Sequence, residues 1–212
     1  MLTLGRMSLE LEFYFSPTAN CRRAAIMLEA CDVPYRLRSV DRAAGDQKRP
    51  EFLALNPAAA VPLIVDPAGD NGAPLVLSQS AAIMVYLAEK TGKFLPSTPA
   101  ARALTYQWLF QATTDVNPAV SLVFLADHVF ASNEETRSFL SARLRKFFLD
   151  CDNRLADRQY LADELTVADF ALYPAVEAQV KRLNEWPELA HLRRWMGDLQ
   201  SRPDVIRAMA LK

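Results

Sequence analysis

Strand signals are confined to the first ninety residues of this chain. Leu9 to Phe15 (LELEFYF) alternates apolar and acidic residues, the period-two pattern of a half-buried strand, and Tyr35 to Val40 is a second amphipathic strand with Arg36 and Arg38 on one face. VPLIVD and PLVLS flank the turn-rich segment Asp66 to Pro74 and read as an antiparallel hairpin. Helical patterns fill the gaps. One opens near Asn20, read as its cap, and carries Ala24, Ala25, Ile26, Leu28 and Ala30, which predicts a buried helix ended by Val33-Pro34. Arg49 to Pro57 reads as a short helix, with Pro50 suited to its first turn. A third helix runs from Ser78, its expected cap, to Gly92.

Past the proline-rich joint KFLPSTPAAR only helical spacing remains, with the break near residue 95. Helices are predicted over 100–115, 118–130, 134–155, 166–181 and 188–201, then a short turn after Pro203. Thr166 and Asp169 precede an apolar run as a capping box, a structural feature and not a catalytic one. The fold class is therefore α/β followed by all-α, with domains expected over 8–92 and 98–212.

The 212 residues can bury a core without disulfide staples, and 51% hydrophobic with 23% charged content fits an ordinary globular chain. A formal net charge of −1 leaves no basic footprint for nucleic acid, and no apolar run nears the ~20 residues of a membrane span. The start lacks the pattern of a secretory signal, Met7 being an alternative first residue. Three widely spaced cysteines fit a reducing, cytoplasmic compartment, and two histidines, His128 and His191, give no metal-ligand spacing.

Three constellations carry possible chemistry. In FSPTANCRRAAIMLEAC, Thr18, Asn20 and Cys21 gather where a helix begins. A helix N-terminus with Arg22 and Arg23 nearby would make Cys21 partly thiolate; the alternative is a small buried residue. Cys31 and Cys151 read as core. Val61-Pro62 opens a strand, where base rates favour a trans bond; a cis bond would turn the Val61 backbone outward to pair with an extended peptide. Ser78-Gln79-Ser80 opens a helix whose free N–H groups suit a carboxylate, beside the plain capping role of Ser78. Tyr106, Trp108 and Phe110 cannot all share one helix face, so they are given no catalytic role.

The element order, VP opening the third strand, QS opening the third helix and the T-V-A-D box together resemble the cytosolic glutathione transferases, over about Leu9 to Ala208. The segments SPTAN, IMLE, GDQKRPEFLALNP, VPLIVD, AIMVYLAEKTGKFLP and LTYQWLFQ are most similar to the bacterial nu-class proteins, which are glutathione-dependent disulfide reductases. The resemblance implies a thioredoxin-like first domain, an all-helical second domain, a homodimer and glutathione as cosubstrate without a metal. It also implies that Thr18 and Asn20 hold the sulfur of glutathione. Val61 and Pro62 would then pair with its cysteinyl backbone, Gln79 and Ser80 receive its γ-glutamyl end, and Gln47 meet its glycyl carboxylate. Gln79 stands where nu-like proteins often carry an acid, which Asp115 of a second subunit could supply. Partners are thus glutathione and a small disulfide or electrophile, the latter packed against Phe15, Trp108 and Leu109. Two alternatives remain open: a mixed-disulfide transferase working through Cys21, and a non-catalytic binding or regulatory protein of the same fold.

Overall fold

The computed structural model describes residues 10–69, 73–129 and 132–212. Leu9 and Met7, the centre of the hairpin turn at 70–72, and Phe130 lie outside these.

Four strands, β1 (Leu11–Phe15), β2 (Tyr35–Ser39), β3 (Leu63–Asp66) and β4 (Leu75–Ser78), form one sheet in the order β2-β1-β3-β4. β2 runs parallel to β1, while β3 is antiparallel to both β1 and β4. The alternation of β1 explains its two faces. Leu11, Phe13 and Phe15 are buried under α1 (Ala19–Ala30) and α3 (Ser80–Thr91), whereas Tyr14 faces α2 (Pro50–Leu55) and meets the Phe52 ring edge-on at 5.8 Å. Gly92 ends α3 in the left-handed conformation, as expected of a helix-stopping glycine.

From Pro99 onward the described residues contain no strand ladder, only α4 (Pro99–Phe110), α5 (Asn117–His128), α6 (Glu134–Arg154), α7 (Val167–Glu177), α8 (Val180–Glu185), α9 (Ala190–Gln200) and α10 (Pro203–Met209). Two boundaries differ from the sequence reading. A π-helical segment, Gln111–Val116, joins α4 to α5 without the expected break. Pro118 has no N–H and its ring would crowd the Thr114 carbonyl in α geometry; the wider turn before it accommodates both. The predicted 166–181 helix divides at Gln179, which leaves helical φ/ψ while Ala178 closes α7 by donating back to Pro174 O.

α7 is buried from Val167 to Val176 and packs on α1 and α4, so it joins the sheet-bearing half to the helical half. Its capping box forms as the sequence predicts: Ala168 N–H donates to Thr166 Oγ1, and Thr166 N–H donates to Asp169 Oδ2 at 3.0 Å. α1 also packs on α3 and α10, and Arg22 holds the end of α10 by donating to the Ala208 and Met209 carbonyls. No described helix is long and apolar enough to cross a membrane.

Candidate functional site

Strand register decides which loops meet. Phe15 pairs with Ser39, Tyr14 with Leu63, and Leu63 with Ser78. The ends of β1, β2 and β4 and the start of β3 therefore share one edge of the sheet. Thr18 and Asn20 follow β1, Gln47 follows β2, Val61-Pro62 precedes β3, and Gln79-Ser80 follows β4. Residues spread over sixty positions are thereby gathered on one rim, where α1 and α3 also begin. Two helix N-termini, each with unpaired N–H groups, favour negative charge there.

At α1 the capping residue is Thr18 and not Asn20. The extended backbone of Thr18 lets Oγ1 accept from Cys21 N–H at 3.3 Å. That bond uses the hydroxyl as an acceptor; its one proton can be donated to the Cys21 thiol beside it or to a ligand at the rim. Asn20, the second residue of the helix, accepts at Oδ1 from Arg23 Nη1 at 2.9 Å. Its amide oxygen is engaged inward, so the Nδ2 hydrogens are what it has left to offer. Both side chains therefore present donors, the polarity that a thiolate needs.

Cys21 is fully buried, facing the core. Burial pushes its thiol above the ordinary range, and Thr18, the Ser16 backbone, Arg42 and Arg22 only partly counter this. Both the burial and this direction run against a partial thiolate and toward the alternative of a small buried residue. Arg22 and Arg23, which the sequence reading counted as activating charges, are spent on backbone carbonyls and on Asn20. Cys31 and Cys151 are core residues, as predicted.

The Val61-Pro62 bond is cis, against the base-rate expectation of trans. The approach to it is fixed by buried Asn56, whose Nδ2 donates to Ala60 O at 2.7 Å and whose Oδ1 accepts from Ala58 N–H. Ser78 ends β4 and does not cap α3. The capping position belongs to Gln79, whose side chain makes no capping bond and whose backbone sits at φ 72°, ψ 115°. A non-glycine residue at positive φ costs on the order of 1–3 kcal/mol and persists where its surroundings impose it. Ser80 follows as the first helical residue and is buried, while Gln79 is exposed.

Gln47 lies in a 3-10 turn, Asp46–Lys48, that the Asp41-Asp46 backbone bond closes back toward the rim. Its Nε2 donates to Arg42 O at 3.4 Å, while Oε1 is buried without a hydrogen-bond partner. A cavity of about 420 Å³ opens beside Thr18, between the β1-α1 turn and the Ser39 to Ala43 loop, with Phe15 in its wall and Lys212 at its rim. Lys212 and Arg42 were not singled out from sequence, because only the tertiary fold brings the chain's end to α1. Trp108 and Leu109 do not line this cavity; both are buried in the core. A larger cavity, about 560 Å³, lies under α2 against Tyr14 and Arg38 and contains none of the candidate residues. Among the described residues no cluster of His, Cys, Asp or Glu could hold a metal ion.

Sheet order, the cis proline at the rim and the helical half together define a thioredoxin-like domain joined to an all-helical region. The glutathione S-transferase N-terminal domain family matches residues 16–90. Disulfide-bond oxidoreductase YfcG of Escherichia coli strain K12 is 33% identical over 205 residues, spanning 94% of each chain. A Pseudomonas putida glutathione transferase, solved with one glutathione disulfide bound per subunit, superposes with a TM-score of 0.90 at 31% identity, covering 98% of this chain and 94% of that one. A Pseudomonas fluorescens family member with two glutathione bound gives 0.89 at 28% identity, covering 99% and 96%. The chain belongs to the glutathione S-transferase family.

Proposed function

We propose that the protein is a glutathione-dependent enzyme that binds glutathione along the rim of its sheet as the thiolate and uses it to reduce disulfides or to conjugate small electrophiles. The carrying observation is that Thr18 and Asn20 both have their acceptor oxygens engaged inside the fold, leaving donors to face a sulfur. A free thiol has a pKa of about 8.5 and is mostly protonated at neutral pH. Two donors and a helix N-terminus favour its anion, one pKa unit corresponding to about 1.4 kcal/mol.

In this reading Val61-Pro62 offers the cysteinyl backbone a strand-like partner. Gln79, Ser80 and the start of α3 receive the γ-glutamyl end, and Gln47 the glycyl carboxylate. In disulfide reduction, the thiolate attacks one sulfur of the substrate. The S–S bond breaks, a thiolate leaves and a mixed disulfide with glutathione remains. A second glutathione thiolate then resolves the mixed disulfide to glutathione disulfide and a second free thiol. The oxidoreductase name of the Escherichia coli relative and the glutathione disulfide in the Pseudomonas putida structure support this branch. We read the units as residues 8–92 and 98–212, and the working form as a cytoplasmic homodimer.

Assay of the purified protein with glutathione, against a small dialkyl disulfide and a chloro-nitroaromatic, separates the two reactions. Turnover of the disulfide is expected; turnover of neither substrate removes the enzymatic reading. Light scattering on the eluted protein tests the dimer.

A further inference from the structure

Arg23 is among the largest fully buried side chains, 1% exposed, and among the described residues it has no carboxylate partner. Its guanidinium is met by three oxygens. Nε donates to Ala171 O of α7 at 2.6 Å, Nη2 to Ala112 O of the π-helical segment at 3.3 Å, and Nη1 to Asn20 Oδ1 at 2.9 Å. Two of the three lie in the helical half of the molecule, and the third is the amide assigned above to the sulfur. Burial lowers the Arg23 pKa to about 10, so it remains a cation at neutral pH.

We propose that Arg23 is a positioning residue for the thiol site, fixing the Asn20 amide with its oxygen inward and its N–H groups toward the sulfur. This rests on the reading of Asn20 given under Proposed function. The physical reason is the asymmetry of the two groups. A side-chain amide can rotate to present either end, and an oxygen turned to the rim would repel a thiolate. Guanidinium has donors only, so an amide turned the other way would set donors against donors at Arg23. The arginine thereby removes the wrong orientation. Because its other two donors are bound to carbonyls of α7 and the π-helical segment, the amide is referenced to the helical half and not only to its own helix.

The test is a double-substitution cycle read by ultraviolet titration of the bound glutathione thiol, beside kcat and the affinity for S-methylglutathione, which has no thiol to ionise. Besides Arg23 itself, the ionisable groups around this rim are Cys21 and Arg22 on α1, Asp41 and Arg42 after β2, and Lys212, which these substitutions leave in place; the Asn20→Ala background separates loss of the Arg23 charge from loss of the amide's orientation. Arg23→Met is expected to raise the thiol pKa by about one unit and lower kcat about tenfold at neutral pH, with S-methylglutathione affinity held within about twofold. In an Asn20→Ala background, Arg23→Met is expected to add almost no further shift. An unchanged thiol pKa in Arg23→Met, or a full shift persisting when Asn20 is alanine, overturns the proposal while leaving the Asn20 role intact. If Asn20→Ala alone leaves the thiol pKa unmoved, the underlying reading fails and this one with it. Circular dichroism reports whether Arg23→Met folds. If it does not, Arg23→Lys is read the same way, since one ammonium cannot span three acceptors: a smaller shift in the same direction supports the proposal and no shift overturns it.

Discussion

Trp195 donates its indole N–H to Asp169 Oδ1 at 3.0 Å, from a helix twenty-six residues away in sequence. The same oxygen accepts from Leu161 N–H, and Oδ2 accepts from Thr166 N–H, each at 3.0 Å. One buried carboxylate thus caps α7, holds the loop before it and anchors α9.

Removing that carboxylate strands three buried N–H donors, at about 1–3 kcal/mol each, and takes the acceptor of the Thr166 hydroxyl as well. Asp169→Ala is therefore expected to lose about 3–5 kcal/mol by urea unfolding. Thr166→Ala, which removes the capping acceptor and the hydroxyl's donation to Asp169 Oδ2, is expected to lose about 1–2 kcal/mol.

Thr18 serves both the helix and the proposed sulfur site. Thr18→Ser keeps the hydroxyl and is expected to hold kcat/KM within about threefold. Thr18→Ala should raise the pKa of the bound thiol by about one unit and cut the rate at neutral pH about tenfold. It should also cost about 1 kcal/mol of stability as a lost cap. Titration of the bound thiol separates the two effects, because a lost cap alone does not move it.

Cys21 faces the core, and burial raises the pKa of its thiol. Cys21→Ala is expected to keep glutathione-dependent activity within about threefold in a steady-state assay, and the native protein should react slowly at this thiol with an alkylating reagent. Loss of turnover with glutathione binding intact would instead make Cys21 the working group.

Gln79 carries a backbone strain that glycine would not feel. Gln79→Gly is expected to leave unfolding stability unchanged or raise it by up to about 1 kcal/mol. Calorimetric titration should show glutathione binding weakened about tenfold, since the side chain proposed for the γ-glutamyl end is gone.

Asp66 closes β3 against α3. Burial alone would raise its carboxyl pKa, but donation from Lys90, from Tyr86 Oη at 2.7 Å and from Ala68 N–H outweighs this and lowers it. A depressed folded-state pKa stabilises at pH above the unfolded value near 3.8, and that stability disappears as pH falls through the folded pKa. Unfolding free energy should therefore drop below pH 4, with a smaller drop in Asp66→Asn over the same range.

Much of this architecture was legible without coordinates wherever the signal is local. Period-two alternation marked β1, turn residues marked the β3-β4 hairpin, and the Thr166-Asp169 spacing marked the start of α7. Each depends on residues within a few positions of one another. The same locality explains the misreadings. Asn20 and Thr18 are both acceptable caps, and only the backbone conformation at Thr18 chose between them. Pro118 predicted a break, yet a widened turn absorbed it because α4 and α5 pack as one run beside α7.

The sequence by itself determined which elements form, in what order, and which residue types were available for thiol chemistry. Tertiary structure decided the rest: that four loops share one rim, that Cys21 faces inward, and that Arg23 lies buried with its donors spent on Asn20 and two distant carbonyls. Register and burial arise from pairings between residues far apart in the chain, whose free energies no local pattern encodes.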